Sequence, residues 1–195
     1  MERDKALSIV EKQLTVSRYE HTIRVMETAL QLAEIYPVDK KKVELAAIFH
    51  DYAKYRDREE MKRWIIKERL PHDLLFYHPE LWHGPVGAAL VEQEVGIDDF
   101  DILNAIRWHT TGKQNMSMLE KVIFIADYME PGRNFPGVEE VRQMAYSDID
   151  HACWMAAKNT IEFLMKKNQP IYPDTFQLYN EKFTGRSLHG EQTIS

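Results

Sequence analysis

The segment AAIFHDYAKY, from Ala46 to Tyr55, carries an apolar helix directly into two adjacent ionisable residues. The positions before these residues repeat apolar side chains at helical spacing, which predicts a helix with a buried face. His50 and Asp51 follow at its end. An aspartate is almost never fully buried unless it is paired or binds a metal, and neutral imidazole is the commonest metal ligand. The segment therefore predicts that a core helix delivers two candidate ligands to one site.

The composition of the 195-residue chain is that of a globular protein, with 44% hydrophobic and 29% charged residues. No apolar run approaches the roughly 20 residues that a bilayer-spanning helix needs, and the N-terminus lacks the apolar segment of a signal peptide. We therefore expect a cytoplasmic protein without membrane contact. The net charge of -6 argues against nucleic acid as a partner, although local cations or metal ions could still hold a small polyanion.

Helical periodicity dominates the chain and strand signals are nearly absent, which predicts an all-α fold. One domain is expected over residues 1–183, with a polar C-terminal tail over residues 184–195. Capping residues and terminating glycines and prolines predict the helix bounds. The predicted helices run from Ser17 to about Ile35, from Asp39 to His50, from Asp57 to about Leu70, from near His83 to Gly96, from Asp98 or Asp99 to Gly112 and from Ser117 to Pro131, with two or three more over 138–168 and 174–183.

Six histidines and aspartates lie on apolar helices, and we predict that they form one metal site. They are His21, His50, Asp51, His83, His109 and Asp127. Adjacent helical residues point about 100° apart, so His50 and Asp51 do not chelate one ion as an i, i+4 pair would. They can serve neighbouring ions, because a carboxylate has two oxygens and can bridge. The pattern thus predicts a two-metal site in which Asp51 contacts both ions.

In this order, the six residues resemble the ligand set of the HD-domain superfamily of metal-dependent phosphohydrolases, in its binuclear form. Closer similarity is to the bacterial YqeK family, over segments that span Arg18 to Asn180. These segments are RYEHTIRV, AAIFHDYAKY, HGPVGAALV, AIRWHTTG, LEKVIFIADYMEPGRNFPGV and IYPDTFQLYN. The resemblance implies an HD-type helical bundle, a di-iron centre and symmetrical hydrolysis of diadenosine tetraphosphate to two ADP. The ligand chemistry alone leaves iron, manganese, cobalt, nickel and zinc open.

The sequence has no P-loop, no G-x-S-x-G motif and no cysteine nucleophile motif. The expected nucleophile is therefore a hydroxide bound to the metal ions, and Asp51 and Lys54 are the candidate catalytic residues. Phosphate substrates also need nearby cations and hydrogen-bond donors. Side chains next to predicted ligands, or about one turn from them, are the candidate substrate contacts. They are Arg24, Lys54, Thr110 and Arg133.

A second doublet, His72 and Asp73, follows Pro71 and lacks an apolar helix before it, so we do not predict it as a ligand pair. Two functions remain as alternatives to the hydrolysis of a dinucleoside polyphosphate. One is a nucleotide phosphohydrolase or phosphodiesterase with another substrate, such as a dNTP, a nucleoside 5'-phosphate or an alarmone. The other is a non-catalytic nucleotide sensor, which the presence of all six candidate ligands disfavours. The sequence leaves open whether the chain forms a homodimer.

Overall fold

Ten α-helices account for most of residues 1–184, the range that this computed structural model describes. Their bounds are α1 Arg3–Glu11, α2 Val16–Leu32, α3 Lys40–Phe49, α4 Arg58–Lys67, α5 His83–Leu90, α6 Phe100–Trp108, α7 Met118–Met129, α8 Val138–Ala145, α9 Ile149–Lys166 and α10 Pro173–Thr184. No β-strand occurs within the described range, which confirms the predicted all-α fold. Of the predicted tail, residues 185–195 lie outside that range.

Side chains that accept hydrogen bonds from free backbone amides begin most of the helices. Asp39, Asp57 and Asp99 each cap a helix in this way, as the sequence predicts for the first two and, with Asp98 as the alternative, for the third. Ser117 and Glu120 form the predicted capping box, in which each side chain bonds the backbone amide of the other residue. Local sequence signals therefore determine where these four helices begin.

Several predicted helix bounds differ from the structure by two to four residues. For example, α2 ends at Leu32 rather than about Ile35, and α6 ends at Trp108, well before Gly112. Ser17 does not cap α2, because the helix already begins at Val16 and the side chain of Thr15 accepts the hydrogen bond from the amide of Arg18. The helix after Asp57 ends at Lys67 rather than near Leu70. The backbone of Arg69 there has a φ of 51°, a left-handed conformation that cannot continue a right-handed helix.

The connection between α4 and α5 consists of two short 3-10 helices, His72–Phe76 and Pro79–Leu81. This matches the prediction of a loop or short helical turns for a segment with two prolines. After α5 the helix continues through one π-helical turn, Val91–Val95. It ends at Gly96, whose φ of 76° is left-handed. Glycine adopts this conformation without a steric penalty.

The core lies between α2, α3, α5, α6 and α7. In this group α2 packs on α3 and α7, while α6 packs on α3, α5 and α7. Apolar side chains such as Phe49, Ile106 and Ile123 are completely buried there, and each contributes roughly 1.5 to 3 kcal/mol of hydrophobic stabilisation. The long helix α9 packs on α7 and also contacts α8 and α10. Among residues 1–184, no helix is both long and apolar enough to cross a membrane.

Candidate metal centre

The structure brings all six predicted ligands together at the ends and in the middle of the central helices. His21 lies within α2, His83 is the first residue of α5, and Asp127 lies in the last turn of α7. His50 and His109 directly follow the last residues of α3 and α6. The four imidazoles and Asp51 are buried, and Asp127 is mostly buried. Chain segments more than 100 residues apart in sequence therefore meet in one polar cluster.

Asp51 lies at the centre of this cluster, and its two carboxylate oxygens face different histidines. Its Oδ2 is 3.1 Å from His50 Nε2 and 3.7 Å from His21 Nε2. Its Oδ1 is 3.1 Å from His83 Nε2 and 3.9 Å from His109 Nε2. The carboxylate thus divides the four imidazoles into two pairs, one pair for each oxygen.

All four imidazoles have their Nδ1 atoms within hydrogen-bonding distance of an acceptor on the outer side of the cluster. The acceptors are Ala47 O for His50 at 2.7 Å, Glu80 O for His83 at 2.5 Å, Ile106 O for His109 at 2.8 Å and Glu130 Oε1 for His21 at 3.0 Å. An Nδ1 that donates to such an acceptor leaves the Nε2 of a neutral ring with a lone pair. The outer contacts therefore fix the ring orientations and turn the Nε2 atoms inward, as in metal-ligating histidines.

Several contacts inside the cluster are unfavourable unless a cation lies between the atoms. His83 Nε2 and His109 Nε2 are 3.0 Å apart, and in neutral rings held through Nδ1 both atoms carry lone pairs. His50 Nε2 likewise faces the negatively charged Oδ2 of Asp51. A metal ion or a proton would convert each of these repulsions into an attraction.

Unsatisfied atoms support the same interpretation. In the described part of the chain, three buried atoms of the cluster have no hydrogen-bond partner: His21 Nε2, His50 Nε2 and Asp51 Oδ2. Polar neighbours lie 3.0 to 3.1 Å from them, but not in directions that form hydrogen bonds. A buried unsatisfied group costs about 1 to 3 kcal/mol, which a bound cation would offset. The residues therefore fit a metal centre.

Two overlapping groups of side chains have the spacing of metal ligands. His21, His50 and Asp127 form one group, and His50, Asp51 and His109 form the other, with ligand atoms within 4.8 Å of one another in each. Imidazole nitrogens and carboxylate oxygens without a thiolate suit first-row transition metals. The geometry thus admits more than one ion within a single cluster.

Charge in the cluster favours ionised carboxylates. Burial raises the pKa of Asp51, but His50 and His83 outweigh this effect and hold it well below its usual value. Burial also raises the pKa of Asp127, and here His21 and Arg133 outweigh it, so this pKa too is well below its usual value. Both carboxylates are consequently negative at neutral pH and available to a cation.

The pKa values of two histidines of the cluster, His109 and His50, are shifted in opposite directions. Burial and the neighbouring imidazoles of His83 and His50 lower the pKa of His109 to about 3. For His50, burial lowers the pKa, but the carboxylate of Asp51 outweighs it, so the net shift is upward. Metal binding requires the neutral ring, which is the form that His109 has at neutral pH.

The four predicted substrate contacts lie around this cluster, each with a partner of its own. Arg133 donates to Asp127 Oδ1 at 2.6 Å and to the Asp127 carbonyl at 2.9 Å. Thr110 Oγ1 is 3.0 Å from His109 Nε2. The remaining two form ion pairs, Lys54 with Glu80 at 2.7 Å and Arg24 with Glu130 at 2.6 Å.

Sequence reasoning missed two charged residues of the site, Arg18 and Glu130. The guanidinium of Arg18 is 3.2 Å from Asp51 Oδ2, and Glu130 contacts His21 and Arg24. A signal existed for Arg18, which precedes His21 by three residues and so shares its helix face. Glu130 directly follows the last residue of α7, three residues after Asp127. Its partners on α2 are more than 100 residues away, which no local pattern reveals.

The second doublet lies elsewhere. His72 and Asp73 are exposed in the first 3-10 helix, outside both ligand groups. Asp73 Oδ1 accepts a hydrogen bond from the hydroxyl of Tyr172 at 3.4 Å. Two identical dipeptides thus occupy different environments, because only the first is attached to the end of a buried helix.

An all-helical domain with a buried cluster of histidines and aspartates is the arrangement of the HD domain. A model of that family matches residues 18–132, which include all six clustered residues. The chain belongs to the HD domain family, whose members bind divalent metal ions.

Relatives of known name are similar over nearly the whole chain. The chain is 57% identical to the symmetrical bis(5'-nucleosyl)-tetraphosphatase of Bacillus subtilis, over 95% of this chain and 100% of that one. It is 59% identical to the enzyme of the same name from Halalkalibacterium halodurans, over 93% and 97%. A crystal structure from Clostridium acetobutylicum is described as that of a predicted HD superfamily hydrolase involved in NAD metabolism. It superposes with a TM-score of 0.90 at 39% identity and covers 95% of this chain and 99% of that one.

Proposed function

We propose that this protein hydrolyses diadenosine tetraphosphate symmetrically to two ADP at a centre of two transition-metal ions. The observation that carries the proposal is the position of Asp51, whose two oxygens face two separate pairs of histidines. Relatives that share 57% and 59% of the residues bear the name of this activity. Four phosphates in a row present a polyanion, which a net-negative protein can bind only through local cations.

Six side chains would hold the two ions: His21, His50, Asp51, His83, His109 and Asp127. Iron is the metal we expect from the family resemblance, while the nitrogen and oxygen donors also suit manganese, cobalt, nickel or zinc. Such ions, when bound, lower the pKa of water and stabilise negative charge on phosphoryl oxygens. Asp51 would fix the position of the two histidine pairs relative to each other, because its one rigid carboxylate reaches both pairs.

The surrounding cations would have unequal roles. Lys54 is 16% exposed and pairs with Glu80, whose side chain is 59% exposed. Because water can solvate the exposed Glu80 carboxylate without Lys54, Lys54 can exchange this partner for a phosphate. Arg133 is partly exposed beside Asp127 and can likewise reach a phosphate oxygen. We propose these two as substrate contacts, with the hydroxyl of Thr110 as a further donor.

Arg24 differs from these residues in the environment of its partner. Glu130 is only 2% exposed, and removing the charge that compensates a buried carboxylate is strongly unfavourable. We therefore propose that Arg24 remains with Glu130 and contributes to the site through His21, although the sequence suggested a direct contact with substrate.

Product analysis tests the activity. The protein is purified without chelators, its bound metal is measured, and it is incubated with diadenosine tetraphosphate while AMP, ADP and ATP are resolved. We expect ADP as the sole product. ATP together with AMP would contradict symmetrical cleavage. No turnover with any of the five metals restored would favour a nucleotide sensor, and turnover of other nucleotides alone would favour a different phosphohydrolase.

A further inference from the structure

A cavity of about 160 Å³ adjoins the cluster of histidines and aspartates and lies between α7, α9 and the turn that follows α7. Four of its lining residues belong to the cluster or to its rim, namely His109, Thr110, Asp127 and Arg133. The cavity is smaller than the roughly 300 to 1,000 Å³ of pockets that enclose a complete small ligand. It therefore suits one part of a ligand whose remainder lies at the cluster.

The other walls of this cavity are aromatic and polar. Tyr128 and Phe135 line it together with Thr160 of α9. The rings of Tyr128 and Phe135 contact each other edge to face, with centroids 5.1 Å apart. Both rings are only partly buried, unlike the core residue Phe124. Aromatic rings with accessible surface beside a hydroxyl are suited to a planar, amphipathic group such as a nucleoside.

Hydrogen bonds hold these walls in place. The amide nitrogen of Asn159 on α9 donates to the hydroxyl of Tyr128 at 3.2 Å and to the carbonyl of Gly137 at 3.5 Å. Gly137 has a left-handed φ of 88°, and a Cβ there would lie 2.7 Å from the Asn159 side chain. The turn that carries Phe135 is thus fixed against α9, so the cavity is already formed in the protein alone.

We infer that this cavity receives one nucleoside of the substrate, with its base or ribose against Phe135 and Tyr128. The inference rests on the proposed function: symmetrical cleavage puts the central linkage at the cluster, so each nucleoside lies one diphosphate away from it. Arg133 lines the cavity and also contacts Asp127, which places a cation where the intervening phosphates pass. Phe135, Tyr128 and Thr160 are consequently specificity-determining residues for the nucleoside.

The test compares two probes, ADP and inorganic pyrophosphate, which share a diphosphate but differ in the nucleoside. Their dissociation constants are measured by titration calorimetry on the metal-loaded protein, with metal content checked before and after. The change in the ratio of the pyrophosphate Kd to the ADP Kd between variants reports the contribution of the nucleoside, because the charge difference between the probes is the same for every variant. We expect Phe135→Ala to reduce this ratio by roughly tenfold while pyrophosphate affinity and metal content stay constant.

Matched variants separate this effect from general disruption. Phe163→Ala removes a 59% exposed phenyl group from α9, outside the cavity, and should leave the ratio unchanged. Thr160→Val keeps the shape of the cavity wall and should reduce the ratio even if Phe135→Ala proves unstable. Phe76 is 84% exposed on the first 3-10 helix and offers another stacking surface. A ratio that falls in Phe76→Ala but not in Phe135→Ala or Thr160→Val would overturn the inference.

The result is independent of the test of the proposed function. If the wild-type protein does not convert diadenosine tetraphosphate to ADP, the proposed activity fails, while a ratio that depends on Phe135 still assigns a nucleoside site. If the wild-type protein forms ADP but Phe135→Ala and Thr160→Val leave the ratio unchanged, the cavity does not bind the nucleoside.

Discussion

The residues around Asp51 keep its carboxylate negatively charged, although burial alone would favour the neutral acid. Without His50 and His83, a carboxyl buried this deeply would have a raised pKa and tend to be neutral. With them its pKa is well below the usual value, and Arg18 adds a positive charge 3.2 Å away. The aspartate is therefore held as an anion before any metal binds, which is the state that a bridging ligand requires.

Substitution of Asp51 tests the bridging role. Asp51→Asn keeps the size of the side chain but removes its negative charge and one acceptor oxygen. We expect bound metal to fall to background by elemental analysis and hydrolysis to fall by at least roughly 100-fold. Asp73→Asn, in the exposed second doublet, should leave both values nearly unchanged. A variant at position 51 that retained full metal content would refute the proposed role.

Glu130 shows how a residue outside the ligand set can orient a ligand. Its two oxygens accept from different groups, His21 Nδ1 on one side and both Arg24 Nε and the Gly132 amide on the other. Glu130→Gln introduces an NH2 group that must face one of these donors. Because a neutral amide holds His21 and Arg24 less strongly than the carboxylate does, whichever way it is turned, we expect metal affinity to fall about 10- to 100-fold.

Competition with a chelator of known affinity measures this effect. The matched control is Glu139→Gln, which removes the charge of a surface glutamate paired with Arg142 and should leave metal affinity as in the wild type. Equal affinities in all three proteins would mean that Glu130 does not position His21. Thermal unfolding of each variant shows whether a change in affinity merely reflects a loss of fold.

On the scale of helices, close packing of α5 against the end of α6 sets the distance between His83 and His109. A Cβ on Gly84 would lie 2.8 Å from the carbonyl oxygen of Arg107, a backbone atom that cannot move independently of α6. Gly87, one turn further along α5, has ordinary space, with its nearest neighbour at 3.5 Å. The packing therefore excludes a side chain at Gly84 but leaves room for a methyl group at Gly87.

Alanine substitution should distinguish these two glycines. We expect Gly84→Ala to push the helices apart, at a cost of about 1 to 3 kcal/mol, and to weaken metal binding because His83 moves relative to His109. Gly87→Ala should be neutral or gain up to about 1 kcal/mol from helix propensity. Chemical denaturation and chelator competition measure both quantities. Equal behaviour of the two variants would contradict the packing argument.

Helix bounds illustrate what local sequence can predict. Asp39, Asp57 and Ser117 were identified, and Asp99 was one of two candidates beside Asp98, because a capping side chain acts on amides two or three residues away. The start of α2 was displaced because Thr15 and Ser17 are chemically similar caps, and the local sequence does not show which of them accepts from the free amides. A helix start can thus be predicted where one capping residue is available, but the sequence cannot decide between two equivalent capping residues.

For the whole molecule, the six clustered residues could be predicted because ionisable groups on apolar helices are conspicuous. Their mutual distances and the partners of the surrounding charges could not. Arg24 pairs with Glu130 across 106 positions, and Lys54 pairs with Glu80 across 26. Such pairs depend on how the helices pack. A cationic side chain that is close in sequence to a predicted ligand can therefore stabilise the site through an ion pair instead of contacting the substrate.

The cluster also joins elements that are remote along the chain. Its six predicted ligands come from α2, α5 and α7 and from the residues that follow α3 and α6, so ions bound there would link most of the central helices. A ligand that binds only the folded state stabilises it, by about 2.7 kcal/mol at a free concentration 100-fold above Kd. Metal binding should therefore be coupled to global stability.

Thermal unfolding with and without metal tests this coupling. At 100-fold excess over Kd we expect Tm to rise by roughly 5 to 10 °C relative to the chelated protein, since about 1 kcal/mol shifts Tm by 2 to 4 °C in a domain of this size. Asp51→Asn, which loses the central ligand, should show little response to the same metal. If both proteins gained the same stability, the ions would be binding elsewhere; if neither responded, the six residues would not form a metal centre that holds the helices together.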